Sequence, residues 1–246
     1  MKFGLIGYPL EHSFSPRYFA RKFEREKIQA EYALFPLRRL DELKQLITNH
    51  TELKGLNVTI PYKEEVIRYL NDVDEAAKAV GAVNTISIRR SPGNIFLKGF
   101  NTDVYGFVQS LKNFIPGDSS MRALVLGTGG AAKAVRKALE QSGIAYLSVS
   151  RNADKRDICY DQLEEKIIRS YLLIINTTPL GMYPKVNEKP PIPYHLLSTR
   201  HYCYDLIYNP ENTAFMKASK YEGAKTKNGL EMLHLQAEKS WEIWNR

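Results

Sequence analysis

The chain is poor in cysteine: Cys159 and Cys203 are the only two among 246 residues. Two cysteines make neither a disulfide framework nor a zinc-ligand spacing. Buried thiols are the ordinary reading of such residues. Histidine is equally sparse, with five, and none stands at metal-ligand spacing from another. No metal is expected. Long apolar runs are missing too. The longest candidate, Tyr171-Leu172-Leu173-Ile174-Ile175, falls far short of a membrane span. Met1-Lys2-Phe3-Gly4 is followed too soon by Tyr8-Pro9 to form a signal-peptide core. The expectation is a soluble cytoplasmic protein with no membrane partner. No internal repeat of solenoid length occurs, and no RNA- or DNA-binding motif. The formal net charge is +8, but the basic residues are scattered, with only short pairs such as Arg38-Arg39 and Arg89-Arg90. A surplus of this kind concentrates small anionic ligands. It lacks the stripe expected of a nucleic-acid binder, so no nucleic-acid partner is expected.

What is present is a globular composition, 43% hydrophobic and 25% charged, in a length that suits two domains. Strand and helix patterns alternate, as in α/β folds with a mixed or parallel sheet. Phe3–Gly7, Tyr32–Phe35 and Leu56–Ile60 read as strands. Helices are expected from Ser15, as N-cap, to about Glu26, over Asp41–Ile47, and in two short pieces around Glu64–Leu70 and Asp74–Val80. Ser91-Pro92-Gly93-Asn94 reads as a turn between strands Ala82–Ile88 and Ile95–Lys98. A helix over Val104–Phe114 leads to Pro116-Gly117-Asp118-Ser119-Ser120, the one linker-like stretch. Leu172–Ile175 and Tyr202–Leu206 read as further strands, separated by a Pro-rich loop over Pro184–Pro193. A last helix, from Leu230 to Trp244, carries Leu230, Leu233, Ala237, Trp241 and Trp244 on one side and is expected to pack back on the first domain.

The stretch Ala123-Leu124-Val125-Leu126-Gly127-Thr128-Gly129-Gly130-Ala131 carries the clearest chemistry. A buried parallel strand runs into a glycine turn and a helix, with spacing G-x-G-x-x-A. In dinucleotide-binding folds the first glycine permits the turn, the second admits a pyrophosphate, and the small third residue packs helix on strand. The helix N-terminus offers N–H groups and a positive dipole end to the phosphates. A second strand, Tyr146–Ser150, continues the βαβ unit. An NAD site usually carries Asp or Glu at the end of that strand. Here Ser150-Arg151-Asn152-Ala153-Asp154-Lys155 follows. Arg151 can fork onto a 2′-phosphate that an acid would repel, so NADP is favoured over NAD. A solvated surface arginine is the plainer alternative.

Several polar residues stand where strands stop. Ser13 and Ser15 flank Phe14 at a helix entry, where they can bind a carboxylate or simply cap and face water. Asn57, Thr59 and Lys63 end another strand. A partly desolvated lysine moves readily toward a catalytic pKa range, while Glu64 and Glu65 beside it are compatible with a surface lysine. Asn84 and Asp103 can each bond a substrate hydroxyl or serve as a turn former, and Asp103 can also cap the helix expected from Val104.

Together these segments resemble the shikimate dehydrogenase family from Phe3 to about Trp244. His12-Ser13-Phe14-Ser15-Pro16 resembles its H-S-x-S-P, Asn57 to Lys63 its N-V-T-x-P-x-K, and Gly81 to Thr85 its G-A-V-N-T. Asn101-Thr102-Asp103 with Gly106 resembles N-T-D-x-x-G, and Asn176 to Met182 resembles N-x-T-P-x-G-M. Asp205 to Tyr208 resembles D-x-x-Y, and Gly229 to Ala237 resembles the closing G-x-x-M-L-x-x-Q-A. Phe19-Ala20 depart from the family's His-Asn, Ser150-Arg151-Asn152 from its N-R-T, and Asn228 from an Asp often found before the last glycine.

The resemblance implies a two-domain α/β fold. An N-terminal α/β substrate domain with a mixed, mostly parallel sheet would span 1–103, completed by the C-terminal helix 230–246. A Rossmann-type NADP-binding domain with its linking helix would span 104–229, and the active site would lie in the cleft between them. The implied reaction is reversible NADPH-dependent reduction of 3-dehydroshikimate to shikimate, with NADP(H) as cofactor and a small anionic substrate as partner, in a monomer or homodimer. Carried over position by position, Lys63 and Asp103 would be the acid/base pair. Ser13 and Ser15 would hold the carboxylate, and Thr59, Asn84, Tyr208 and Gln236 the ring hydroxyls and neighbouring groups. Gly127, Thr128, Gly129, Gly130, Ala131, Ser150, Arg151, Asn152 and Lys155 would bind NADP, with Asn176, Thr177, Leu206, Gly229 and Met232 near the nicotinamide. The alternatives are a relative with relaxed use of quinate or NAD, and a non-catalytic nucleotide-binding sensor on the same fold.

Overall fold

A computed structural model describes residues 1–11, 13–117, 120–152 and 157–246. The chain divides into two compact units, Met1–Thr102 with Ala237–Arg246, and Asp103–Gln236.

The first unit contains β1 (Lys2–Gly7), α1 (Ser15–Arg25), β2 (Glu31–Pro36), α2 (Glu42–Asn49), β3 (Leu53–Val58), β4 (Asp72–Val73), α3 (Glu75–Val80), β5 (Thr85–Ser91) and β6 (Asn94–Phe100). The sheet order is β2-β1-β3-β5-β6-β4. β1 runs parallel to β2 and β3, β5 runs antiparallel to β3 and β6, and β4 is parallel to β6. The sheet is therefore mixed. β1 is buried from Phe3 to Gly7, as the apolar run Phe3-Gly4-Leu5-Ile6 requires of a strand covered on both faces. Phe3 and Ile6 differ in parity and so point to opposite faces. Ile6 joins Leu43, Leu53, Leu56, Val66 and Ile86 in one core cluster, and Phe3 joins Phe19, Phe23 and Trp244 in another.

Local signals fared unevenly here. The Ser91–Asn94 turn lies where expected, between β5 and β6. The segment near Glu64 forms only a 3-10 turn, Glu65–Tyr69. Ser15 is not the N-cap of α1: Phe14 occupies that position, with helical backbone angles and no side-chain cap bond. Phe19, at the family's His position, is fully buried and stacks on Tyr32 at 4.5 Å between ring centroids.

The second unit contains most of α4 (Thr102–Lys112), then β7 (Arg122–Leu126), α5 (Gly130–Gln141), β8 (Ala145–Ser150), β9 (Asp157–Cys159), α6 (Glu165–Ser170), β10 (Leu173–Asn176), β11 (Tyr202–Asp205), α7 (Ala214–Tyr221), β12 (Lys225–Lys227) and the start of α8 (Leu230–Trp244). The sheet order is β12-β11-β10-β7-β8-β9, parallel throughout. Counted from β7, this is the doubly wound 3-2-1-4-5-6 arrangement of dinucleotide-binding folds. The core includes Leu124, Leu126, Val149, Ile174 and Phe215.

The last turns of α8 belong to the first unit. Ala237, Ile243 and Trp244 join the cluster around Phe3, and the Trp244 indole donates to the Ile86 carbonyl at 3.0 Å. Among the described residues, no helix is long and apolar enough to cross a membrane.

Candidate active site

In the second unit, β7 lies between β8 and β10. Successive connections leave β7 in opposite directions, which opens a crevice at the carboxyl ends of β7 and β10. Gly127 follows β7 with φ of +107°, a conformation closed to most side chains. Its N–H donates to the Val149 carbonyl at 2.8 Å. A Cβ there would come within 2.9 Å of the Thr177 hydroxyl. Thr177 follows β10 and donates to the Leu126 carbonyl from both its backbone N–H (3.0 Å) and its hydroxyl (2.6 Å).

Thr128, Gly129, Gly130 and Ala131 are exposed at the start of α5. A Cβ on Gly129 or Gly130 would meet nothing within 4 Å. The flank is open, and Gly129 offers no side-chain cap to compete for the helix N–H groups. These residues fit a pyrophosphate. At the end of β8, the Ser150 hydroxyl donates to the Asn152 carbonyl at 2.7 Å, which shapes the turn that exposes Arg151 and Asn152. Lys155 lies outside the described residues, as do Asp154 of the same stretch and His12 of the first motif.

The neighbouring strand ends form a second wall. Asn176 is fully buried. Its Nδ2 donates to Asp205 Oδ1 at 3.0 Å, and its Oδ1 accepts from the Thr178 N–H (3.0 Å) and hydroxyl (2.7 Å). Asp205, also fully buried, accepts further bonds from the Ile207 N–H at 3.1 Å and the Thr213 hydroxyl at 2.6 Å. Burial pushes its carboxyl up to about 6, against these three donors. The Leu206 N–H bonds the Asn176 carbonyl at 3.0 Å, and the Gly229 N–H bonds the Ile207 carbonyl at 3.1 Å. A Cβ on Gly229 would sit 2.1 Å from the Leu206 carbonyl oxygen, so only glycine fits. Met232 is half-buried in the first turn of α8.

Three more expected site residues belong to this unit. Asp103 is half-buried in the first turn of α4. The helix starts at Thr102 rather than Val104, so Asp103 is a helical residue and not its cap. Tyr208 is half-buried, which pushes its phenol up. Gln236 is buried and donates to the Leu233 carbonyl at 2.9 Å.

In the first unit, the structure gathers the other candidates around the end of β3. The Thr59 N–H bonds the Ile6 carbonyl at 2.9 Å, and the Lys63 carbonyl accepts the Val83 N–H at 2.7 Å. Lys63 and Thr59 are half-buried. Asn84, beside Val83, is buried, and its Oδ1 accepts the Thr102 N–H at 2.7 Å. Around it lies a set of buried polar groups that bond one another. Asn84 Nδ2 donates to the Thr102 hydroxyl at 3.0 Å, and Asn57 Nδ2 to the Ser240 hydroxyl at 3.0 Å, while the Ser240 and Thr85 hydroxyls lie 2.8 Å apart. The Tyr32 hydroxyl donates to Asn57 Oδ1 at 2.8 Å and is bonded by the Ser15 side chain. Ser15 thus joins this network. The Ser13 hydroxyl donates to the Leu10 carbonyl at 2.8 Å, leaving its oxygen able to accept.

Sequence reasoning missed the supporting residues Asp205, Thr213 and Ser240. Asp205 had a signal, since it opens the D-x-x-Y segment. Ser240 had a weaker one, a lone hydroxyl between Ala237 and Trp244 on an apolar helix side.

The family model for the shikimate dehydrogenase substrate-binding domain matches residues 5–86. A shikimate dehydrogenase (NADP(+)) from Clostridium beijerinckii is 42% identical over 252 residues, covering 98% of this chain and 91% of that protein. A crystal structure of a shikimate dehydrogenase in complex with NADP+ superposes with a TM-score of 0.89 at 32% identity, over 99% of this chain and 89% of that one. The shikimate 5-dehydrogenase of Thermus thermophilus, in complex with NADP(H) and shikimate, gives 0.85 at 30% identity, over 99% and 93%. A likeness of this extent, covering nearly the whole chain, leaves one conclusion: the chain belongs to the shikimate dehydrogenase family.

Proposed function

We infer that this protein is an NADP(H)-dependent shikimate dehydrogenase, interconverting 3-dehydroshikimate and shikimate on the route to chorismate and the aromatic amino acids. One observation carries the reading. A relative 42% identical over 98% of the chain bears that activity in its name, and the open glycine cradle here fits the dinucleotide it requires.

The bound nicotinamide supplies the hydride; the protein supplies position and a proton. Reducing a ketone leaves charge on oxygen. Lys63, as an ammonium, neutralises that charge and donates the proton, and in the reverse direction accepts it. Asp103 orients the lysine and the hydroxyl. Ser13 and Ser15 take the substrate carboxylate. Thr59, Asn84, Tyr208 and Gln236 take the hydroxyls, with Asn84 presented in one orientation because Thr102 holds both ends of its amide. Residues 1–103 with the C-terminal helix act as the substrate domain, and residues 104–229 carry NADP(H). The second domain binds it through Gly127 to Ala131 and Ser150 to Lys155, beside Asn176, Thr177, Leu206, Gly229 and Met232. Arg151 meets the 2′-phosphate. Drawing on a diffusible NADPH pool, the enzyme works in the cytoplasm.

The test is the absorbance of NADPH on mixing the protein with shikimate and NADP, repeated with quinate and with NAD. Turnover fastest with shikimate and NADP is expected. Binding of NADPH with no turnover of either acid would replace the enzyme by a nucleotide sensor.

A further inference from the structure

We propose that Asp205 is a positioning residue of the nucleotide site, its carboxylate clamping the ends of β10 and β11 and the start of α7 so that the two strand ends beside the glycine turn keep one geometry. The proposal rests on the reading of this half as an NADP(H) site.

Three donors from three segments converge on the carboxylate: Asn176 at the end of β10, the Ile207 N–H just after β11, and the Thr213 hydroxyl at the N-cap of α7. All three need an acceptor, and a carboxylate is acceptor-only. Asn176, Asp205 and Thr213 are each fully buried, so water is no substitute. Thr213 also caps α7, accepting the Met216 N–H at 3.2 Å.

Two branches of the clamp end at residues placed in the nucleotide site, and the third caps α7. Through Asn176, the amide oxygen fixes Thr178, and Thr177 between them is pinned to the last carbonyl of β7. Thr177 and Thr178 stand 2.9 Å and 3.1 Å from the point where a Cβ on Gly127 would lie. Through Ile207, the backbone carbonyl takes the Gly229 N–H, in the same turn where Gly229 packs on the Leu206 carbonyl. One buried charge therefore braces both flanks of the place assigned to the nicotinamide. Keeping a charge in so dry a site disfavours folding. Its return is alignment of backbone that a neutral apolar residue would leave with three orphaned donors.

The experiment uses the full chain and measures NADPH dissociation constants by fluorescence, with KM for shikimate at saturating NADP as the second readout. Asp205→Ala removes every acceptor and is expected to weaken NADPH binding about tenfold or more, the scale of a lost hydrogen bond to a charged group. The shikimate KM should move less than about twofold, because the Thr59–Lys63–Asn84 end rests on other bonds. Asp205→Asn keeps an oxygen facing Asn176 and Ile207 and should recover affinity to within about threefold of the unmodified protein. A residue serving stability alone would show neither the split nor the rescue. If Asp205→Ala does not fold, Thr213→Val takes its place: it removes one donor, should weaken NADPH several-fold, and Thr213→Ser should restore it. Folded Asp205→Ala, or Thr213→Val, binding NADPH as tightly as the unmodified protein overturns the proposal. Failure of the unmodified protein to oxidise shikimate with NADP overturns the functional reading instead, and the NADPH constants still decide the clamp.

Discussion

Replacing Asp205 by asparagine should make the folding stability of this protein less sensitive to pH. Burial raises the folded-state carboxyl from an ordinary value of 3.8 to about 6. At 1.36 kcal/mol for each pH unit, this corresponds to ~3 kcal/mol. Below about pH 4 the folded and unfolded chains both carry the proton. Between about pH 4 and 6 the folded chain keeps a proton that the unfolded chain has released, so the contribution to stability falls as pH rises. Above about pH 6 the loss is complete. The nearby phenol and thiol do not titrate in this window. Burial pushes the Cys203 thiol up to about 12, and the Tyr194 phenol is likewise pushed up. Asparagine has no proton to lose, yet it presents an oxygen to Asn176 and Ile207. The stability of Asp205→Asn minus that of the unmodified protein should therefore grow by ~3 kcal/mol from about pH 4 to about pH 8. Titrations elsewhere in the chain cancel in this difference. The assay is chemical denaturation followed by far-UV circular dichroism, because both tryptophans, Trp241 and Trp244, lie in the first unit and report on it alone. A difference that stays constant with pH would refute the reasoning, since it would mean that the carboxyl is solvated or that its charge is compensated.

Lys63→Ala should lower turnover by roughly a hundredfold or more while changing shikimate affinity far less, the pattern of a positioned proton donor; steady-state kinetics checks this, and near-normal turnover would remove Lys63 from the role. Arg151→Ala should erode the preference for NADP over NAD by about tenfold, the scale of a charge-assisted fork on a phosphate; the ratio of kcat/KM values for the two cofactors measures it, and an unchanged ratio would leave Arg151 a surface charge. Ser240→Ala removes the hydroxyl shared by Asn57 and Thr85, which should cost about 1–3 kcal/mol. Calorimetry should show a fall in Tm, and the shikimate KM should rise as Asn84 loosens; a variant with unchanged Tm and KM would show that the network bears no load.

Local chemistry was legible without coordinates wherever a segment carries its own signal. The apolar run Ala123–Leu126 followed by Gly127 allows little but a strand entering a turn, and Gly127 has the positive φ that the turn demands. The stripe on the last helix was complete enough for α8 to run from Leu230 to Trp244 as expected. The segments without a strong period were not read: β9 and β12 have three residues each, and α6 has only six. Ser15 shows the limit of a residue-type rule, since its hydroxyl serves Tyr32 rather than the start of its helix.

Long-range order was settled elsewhere. Nothing in the strands' own residues says that β10 lies against β7 while β8 takes the other side; that follows from how the helices cover both faces. Asn176, Asp205 and Thr213 meet only because this order brings two strand ends and a helix start together. Each alone is an ordinary polar residue. Periodicity and turn chemistry act over a few residues and are written locally, whereas a buried charge acquires its partners from the packing of elements distant along the chain.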